Sequence, residues 1–210
     1  MPPLSPSPNA YGYPLLIKHL LAGSQLASAS QEIVSGTEIR LSYADLGKRV
    51  RQLANALQAS GIHEGMRVGV MDWDTHRYLE CFFAIPMIGA TLFTINVRLS
   101  PAQVLYTINH GQPDLIIVHR DFMPLIDDIK SDFNRDIIIV PIGDGEGYEE
   151  WISEAPGCFD FPDFDENQTA TLFYPTGPTG NPKGVTYSHR QLVLPTLGLI
   201  AAFRPWPRPT

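Results

Sequence analysis

Cysteine is scarce: Cys81 and Cys158 are the only two, far apart in the chain. Such a pair makes neither a disulfide framework nor a zinc pattern, which points to a reducing, cytoplasmic setting. Basic residues are also few, with 15 Lys and Arg against 22 Asp and Glu and a formal net charge of −7. That balance gives no general attraction for nucleic acid or an anionic membrane, although a local basic feature can still hold a phosphate. Long apolar runs are missing. The most apolar stretch, 81–95, is interrupted by Pro86, Gly89, Thr91 and Thr94, and it falls short of the roughly 20 residues of a membrane span. The first nine residues hold no Lys or Arg and no apolar core, so they are no secretory signal. There is no internal repeat. His76 and His110 sit on predicted helix or loop surfaces and lack a second ligand at usable spacing, so no metal site is expected among the chain's own residues.

What is present is a 44% hydrophobic fraction, enough for a packed core, arranged as alternating strand and helix patterns. Pro14 to about Ser28 predicts an amphipathic helix with proline in its first turn. Residues 32–35 and 38–41, separated by Gly36-Thr37, predict a small hairpin. Ser42 is placed to cap a helix whose stripe is Leu46, Val50, Leu53 and Leu57, and Gly61 to end it. Strands are predicted at 67–71, 90–95, 115–118 and 137–140. Helices are predicted between them at 76–88, from Ser100-Pro101 to about 109, and at 122–130. Continuous apolar strands in exchange with helices predict an α/β fold with a parallel sheet covered on both faces. The stretch Asp144 to Glu166 contains nine Asp or Glu residues and reads as a solvated segment with one short helix near Trp151. Cys81 and the aromatics Trp73, Phe82 and Phe83 read as packing, Asp72 and Asp74 as turn residues, and His189 as a capping or packing residue.

The segment that carries chemistry is Tyr174-Pro-Thr-Gly-Pro-Thr-Gly-Asn-Pro-Lys-Gly184, set between two predicted strands. Gly177, Gly180 and Gly184 permit tight turns and close approach of a ligand. Successive amides in such a turn form a concavity for an anion. Thr176 and Thr179 add hydroxyl donors, and Lys183 adds a charge able to reach a terminal phosphate. A Walker A loop is excluded, because that pattern needs Gly-Lys-Ser/Thr opening a helix. Here the order is Lys183-Gly184, followed by the predicted strand 185–188. A helical pattern then starts at Gln191, is interrupted by Pro195 at about its first turn, and gives way to prolines at alternate positions from 205 onward.

The loop resembles the phosphate-binding signature of the AMP-forming adenylate synthetases, a family that includes acyl-CoA ligases, luciferases and peptide-synthetase adenylation domains. Further segments stand in that family's order: Leu41-Ser-Tyr-Ala-Asp-Leu46, Gly65-Met-Arg-Val-Gly-Val70, Ile95-Asn-Val-Arg-Leu-Ser-Pro101 and Tyr106-Thr-Ile-Asn-His-Gly111. Asp74-Thr-His-Arg-Tyr-Leu-Glu80 together with residues 94–99 is most similar to bacterial medium- and long-chain fatty-acyl-CoA ligases. The resemblance covers roughly residues 13–200. It implies a partial large N-terminal domain at 13–202, preceded by a flexible 1–12 and followed by an irregular tail at 203–210. It also implies ATP, Mg²⁺ and CoA as reaction partners, a fatty acid as the other substrate, and phosphate contact by Thr176, Gly177, Thr179, Gly180, Lys183 and Gly184.

Two departures stand out. Pro175 and Pro178 occupy positions where the family usually carries Thr or Ser, and each removes a hydroxyl and an amide donor. The chain is also far shorter than family members. It reads as an N-terminal fragment without the elements that hold adenine, ribose and magnesium or the lysine that assists adenylation, and so as inactive alone. A cluster of prolines of single-base origin near the end reads as sequence error or gene decay. Three functions follow: the N-terminal region of an acyl-CoA ligase, a non-catalytic remnant keeping the fold, or an unrelated acidic doubly wound binding module.

Overall fold

The computed structural model describes residues 7, 9–37, 39–143, 147–175 and 181–202. Helix α1 (Ile17–Ser28) leads into the antiparallel hairpin β1 (Glu32–Ser35) and β2 (Ile39–Ser42). Helix α2 (Tyr43–Ala59) starts on a capping box: the Asp45 amide donates to Ser42 Oγ, and the Ser42 amide donates to the Asp45 carboxylate. Leu46, Val50, Leu53 and Leu57 are all buried along one stripe, and Gly61 leaves the helix at φ +86°. Beyond it come β3 (Arg67–Met71), α3 (His76–Met87), β4 (Thr91–Thr94), α4 (Pro101–Gly111) and β5 (Leu115–His119). Next are α5 (Met123–Ile129), β6 (Ile138–Ile142), α6 (Tyr148–Ser153), β7 (Thr169–Phe173), β8 (Val185–Ser188) and α7 (His189–Ala202).

Six strands form one sheet in the order β6-β5-β3-β4-β7-β8. The first five run parallel, and β8 pairs antiparallel with β7 at the edge. The pleat sends alternate side chains to opposite faces. Val68, Val70, Leu92, Leu115 and Ile117 meet α1, α2, α3 and α6 on one side. Met71, Phe93, Ile116 and Val118 meet α4 and α5 on the other. Helix α3 therefore leaves β3 toward one face while α4 leaves β4 toward the other. Their carboxyl ends thus form a topological switch point, where open α/β sheets bind ligands.

Several details differ from the sequence reading. Helix α1 begins at Ile17, so Pro14 lies outside its first turn; the neighbouring Leu15 amide is taken by Glu166 Oε2 at 2.7 Å. At the end of the stretch expected to be flexible, Tyr11 donates to Asp163 Oδ2 at 2.8 Å. Helix α7 begins at His189 and not at Gln191, because the Ser188 hydroxyl caps the Gln191 amide; Pro195 therefore lies in its interior. The tail 203–210 and residues 1–6 lie outside the described residues.

The acidic stretch is not merely solvated. Tyr148 is fully buried and donates to Glu80 Oε2 at 2.7 Å, while Arg49 joins Glu80 and Glu149 at 2.6 and 2.8 Å. This network locks α2, α3 and α6 together. It also buries His76, which the sequence reading put on the surface, because α6 covers that end of α3. The Glu149 carboxylate is held well below its ordinary value by His76 and Arg49. His76 Nε2 stands 3.8 Å away, beyond hydrogen-bond reach, so Arg49 is the stronger partner. Near the other end of the stretch, Lys18 Nζ donates to the Phe161 and Pro162 carbonyls and pairs with Asp163 at 2.7 Å. Glu166 also pairs with Arg190.

Candidate functional site

Phe173 pairs with Val185 at the end of the β7–β8 ladder, so residues 174–184 form the loop of an edge hairpin. They emerge beside the carboxyl ends of the parallel strands, the edge at which the switch point opens. Lys183 is exposed there, and Pro182 beside it is buried. Gly184 closes the loop where little else fits: an added Cβ would come within 3.2 Å of Leu172 Cδ1 and 3.3 Å of the Tyr174 ring. Of the phosphate-site residues named from sequence, Lys183 and Gly184 are placed at this edge. Thr176, Gly177, Thr179 and Gly180 lie outside the described residues, as does Pro178. Pro175 is exposed just past the last strand pair.

At the root of the loop, Tyr174 is 4% exposed. Its hydroxyl meets His110 Nδ1 at 2.6 Å, and its ring packs against Phe93 with centroids 5.5 Å apart. Burial pushes the Tyr174 phenol above its ordinary value. A groove of about 430 Å³ runs beside it, lined by Arg67, Thr91, His110, Gln168, Gly184 and Thr186. His110 was expected on a helix or loop surface, and its contact with Tyr174 was not foreseen. It was missed because it stands 64 positions from Tyr174, and no local spacing signals such a contact.

The switch point itself holds a cleft of about 220 Å³ with Asp72, Asp74, Tyr78, Asn96 and Arg98 among its walls. Asp72 accepts from the Trp73 amide at 2.7 Å and from Thr75 Oγ1 at 2.5 Å, the turn role expected of it. Burial pushes its carboxyl above the ordinary value, against the pull of those donors. Trp73 packs on Phe122 with ring centroids 4.8 Å apart and stays half-exposed: its Nε1 donates to Asp121 Oδ2 at 2.8 Å, which keeps one ring edge at the surface. Cys81 is in the core.

On the opposite face of β7 and β8, an apolar cavity of about 530 Å³ is lined by Ile17, Leu79, Phe82, Phe83, Phe173 and Leu192, among others. Phe83 packs on the core while Phe82 is 41% exposed. His189 is fully buried next to this region, and its Nδ1 accepts the Ile17 amide at 3.3 Å, the packing role expected of it. Desolvation lowers its pKa to about 4, an effect the Pro86 carbonyl offsets only in part. No acceptor among the described residues meets hydrogen-bond geometry at Nε2.

The described residues hold no group of three acidic, His or Cys side chains fit to hold a metal ion, and no helix long and apolar enough to cross a membrane. Among the described residues, the loop edge offers the exposed Lys183 ammonium, a charge suited to a phosphate.

Residues 25–206 match the family described as AMP-binding enzyme. The 3-methylmercaptopropionyl-CoA ligase of Ruegeria lacuscaerulensis is 34% identical over 196 residues, covering 86% of this chain and 36% of the relative. The long-chain-fatty-acid–CoA ligase of Thermus thermophilus is 35% identical over 176 residues, covering 80% and 32%. The crystal structure of the anthranilate CoA ligase AuaEII in complex with anthranoyl-AMP superposes with a TM-score of 0.78 at 26% identity, covering 84% of this chain and 34% of that one. The chain thus spans about a third of the length of the curated relatives it matches.

Proposed function

The chain belongs to the AMP-binding enzyme family, and on that premise we propose that it supplies the phosphate-loop region of an AMP-forming fatty-acid–CoA ligase. The observation that carries this reading is the edge hairpin. It sets Lys183 and Gly184 at the carboxyl ends of the parallel strands, inside a segment matching the family almost throughout. In the parent reaction a carboxylate attacks the α-phosphorus of ATP, giving acyl-adenylate and pyrophosphate, and the CoA thiol then displaces AMP. The loop's part is to hold the β- and γ-phosphates and neutralise charge on departing pyrophosphate, with Lys183 as the charged donor and Thr176 and Thr179 as hydroxyl donors. Gly177, Gly180 and Gly184 keep the backbone close to the anion. Mg²⁺ would supply further charge neutralisation.

A fatty acyl substrate is supported by the Thermus relative and by the apolar cavity under α7. A second reading, a short thioether acid, is favoured by the Ruegeria relative. Because the chain covers a third of these relatives, thioester formation by residues 1–210 alone is not expected. The free cysteines Cys81 and Cys158 favour a cytoplasmic site of action.

The test is equilibrium binding of MgATP to the chain and to Lys183→Met. The expected result is saturable binding that weakens about tenfold or more in the variant, in keeping with a charge-assisted hydrogen bond. Absence of binding, or binding indifferent to Lys183, overturns the reading.

A further inference from the structure

The sequence Tyr106-Thr-Ile-Asn-His-Gly111 forms the last turns of α4, and its contacts run straight to the loop. Tyr106 and His110 share one helix face at i and i+4, with rings stacked 5.8 Å apart. His110 then meets the Tyr174 hydroxyl at 2.6 Å and the Tyr174 ring edge-on at 5.7 Å. Gly111 presses on Phe93, the other neighbour of Tyr174: a Cβ at 111 would stand 2.8 Å from the Phe93 ring. Tyr174 is the first loop residue, and its ring forms the floor beneath Gly184, the last. One aromatic side chain therefore holds both roots of the hairpin loop, and His110 holds that side chain.

We propose that His110 is a positioning residue for the phosphate loop, acting through Tyr174 to hold residues 174 and 184 together so that Lys183 faces a polyphosphate from a fixed base. This rests on the phosphate-binding reading above. His110 limits how far residues 174 and 184 part, and a base free to part presents the Lys183 ammonium to an anion for a smaller fraction of the time.

Loop opening can be read without any ligand, because Lys183 is a trypsin site in the loop and is exposed. Cleavage of a transiently opened segment follows the population of the open form. Loss of one neutral hydrogen bond should raise that population by about two- to tenfold. His110→Leu and Tyr174→Phe are each expected to speed cleavage after Lys183 by that factor, with cleavage at Lys130, on the opposite edge of the sheet, unchanged. The double variant should add little, since both changes break the same contact. His110→Gln, which keeps an acceptor, should restore most of the protection. MgATP affinity should fall by the factor by which cleavage rises.

Unchanged cleavage at Lys183 in both single variants overturns the inference whether or not ATP binds. Faster cleavage at every site overturns it in favour of a general packing role. Faster cleavage at Lys183 with undiminished ATP affinity overturns the link to phosphate. If the unaltered chain binds no ATP, the proposed function fails by itself, and selective cleavage at Lys183 with rescue by glutamine still supports the anchor.

Discussion

Acidification should destabilise this fold through one side chain in particular. His189 is buried, accepts the Ile17 amide through Nδ1, and has its pKa lowered by desolvation from 6.5 to about 4. The unfolded chain takes up this proton near the ordinary histidine value, and the folded chain only near the lower one. Between them the unfolded state binds more protons, so stability is complete above about pH 6.5 and is lost as pH falls toward about 4. At about 1.4 kcal/mol per pH unit the full loss is on the order of 3 kcal/mol, and most of it is gone by about pH 4.5. Urea unfolding of the native chain and of His189→Gln, at about pH 7 and about pH 4.5, isolates the term. Glutamine can accept the Ile17 amide through Oε1 but cannot take the proton. The carboxylates held low by partners, Glu149, Asp163 and Glu166, titrate alike in both proteins and cancel. The native chain should lose roughly 2–3 kcal/mol more than the variant, a midpoint difference on the order of 1 M urea. Parallel losses in the two proteins would refute the argument.

The buried ionic network makes a graded prediction. Tyr148→Phe removes one hydrogen bond to a charged group and should cost about 1.5–3 kcal/mol. Glu80→Ala strands Tyr148 and half of Arg49 and should cost about 3–5 kcal/mol; thermal melts rank the two, and equal costs would contradict the geometry. Pro195→Ala replaces an interior proline of α7 and should raise stability by up to about 3 kcal/mol, read as a higher melting temperature. Pro175→Thr with Pro178→Thr restores two hydroxyls and two amides at the loop and should tighten MgATP binding several-fold in a dialysis assay; unchanged affinity would show that the prolines do not weaken phosphate contact.

The parts of this fold legible in sequence are those governed by local periodicity and local chemistry. The stripe Leu46–Val50–Leu53–Leu57 has the helical period, and it is buried throughout. Ser42 and Ser100 carry partners three residues on, and both close capping boxes. The strand Arg67–Met71 has the predicted ends. What was not legible depends on which face meets which neighbour. Periodicity puts His76 and Glu80 one turn apart on a helix, but only the packing of α6 onto α2 and α3 makes that face interior. The same holds at the candidate site. Glycine and lysine spacing points to a phosphate loop in the sequence because such a loop would bind through the amides of one short turn. The His110–Tyr174 anchor joins separate elements and leaves no pattern in either.

The attachments of α1 set an order on how the chain can close. Ile17 is held by His189 across 172 positions, Leu15 by Glu166 across 151, and Lys18 by the Phe161 carbonyl across 143. During synthesis α1 emerges well before each of these partners, so its polar anchors are made late relative to the helix itself. Helices α2 and α3 and the central strands can assemble from contacts nearer in sequence, and α1 can pack on α2 and α3, but its polar anchors must wait for residues 161–166 and α7. Loops of that length add only a logarithmic entropic cost to the finished structure, whereas in time they belong to the slow, long-range class of contacts. Until they form, Leu15, Ile17 and Lys18 lack these polar partners, and α1 is held by its apolar packing on α2 and α3 alone.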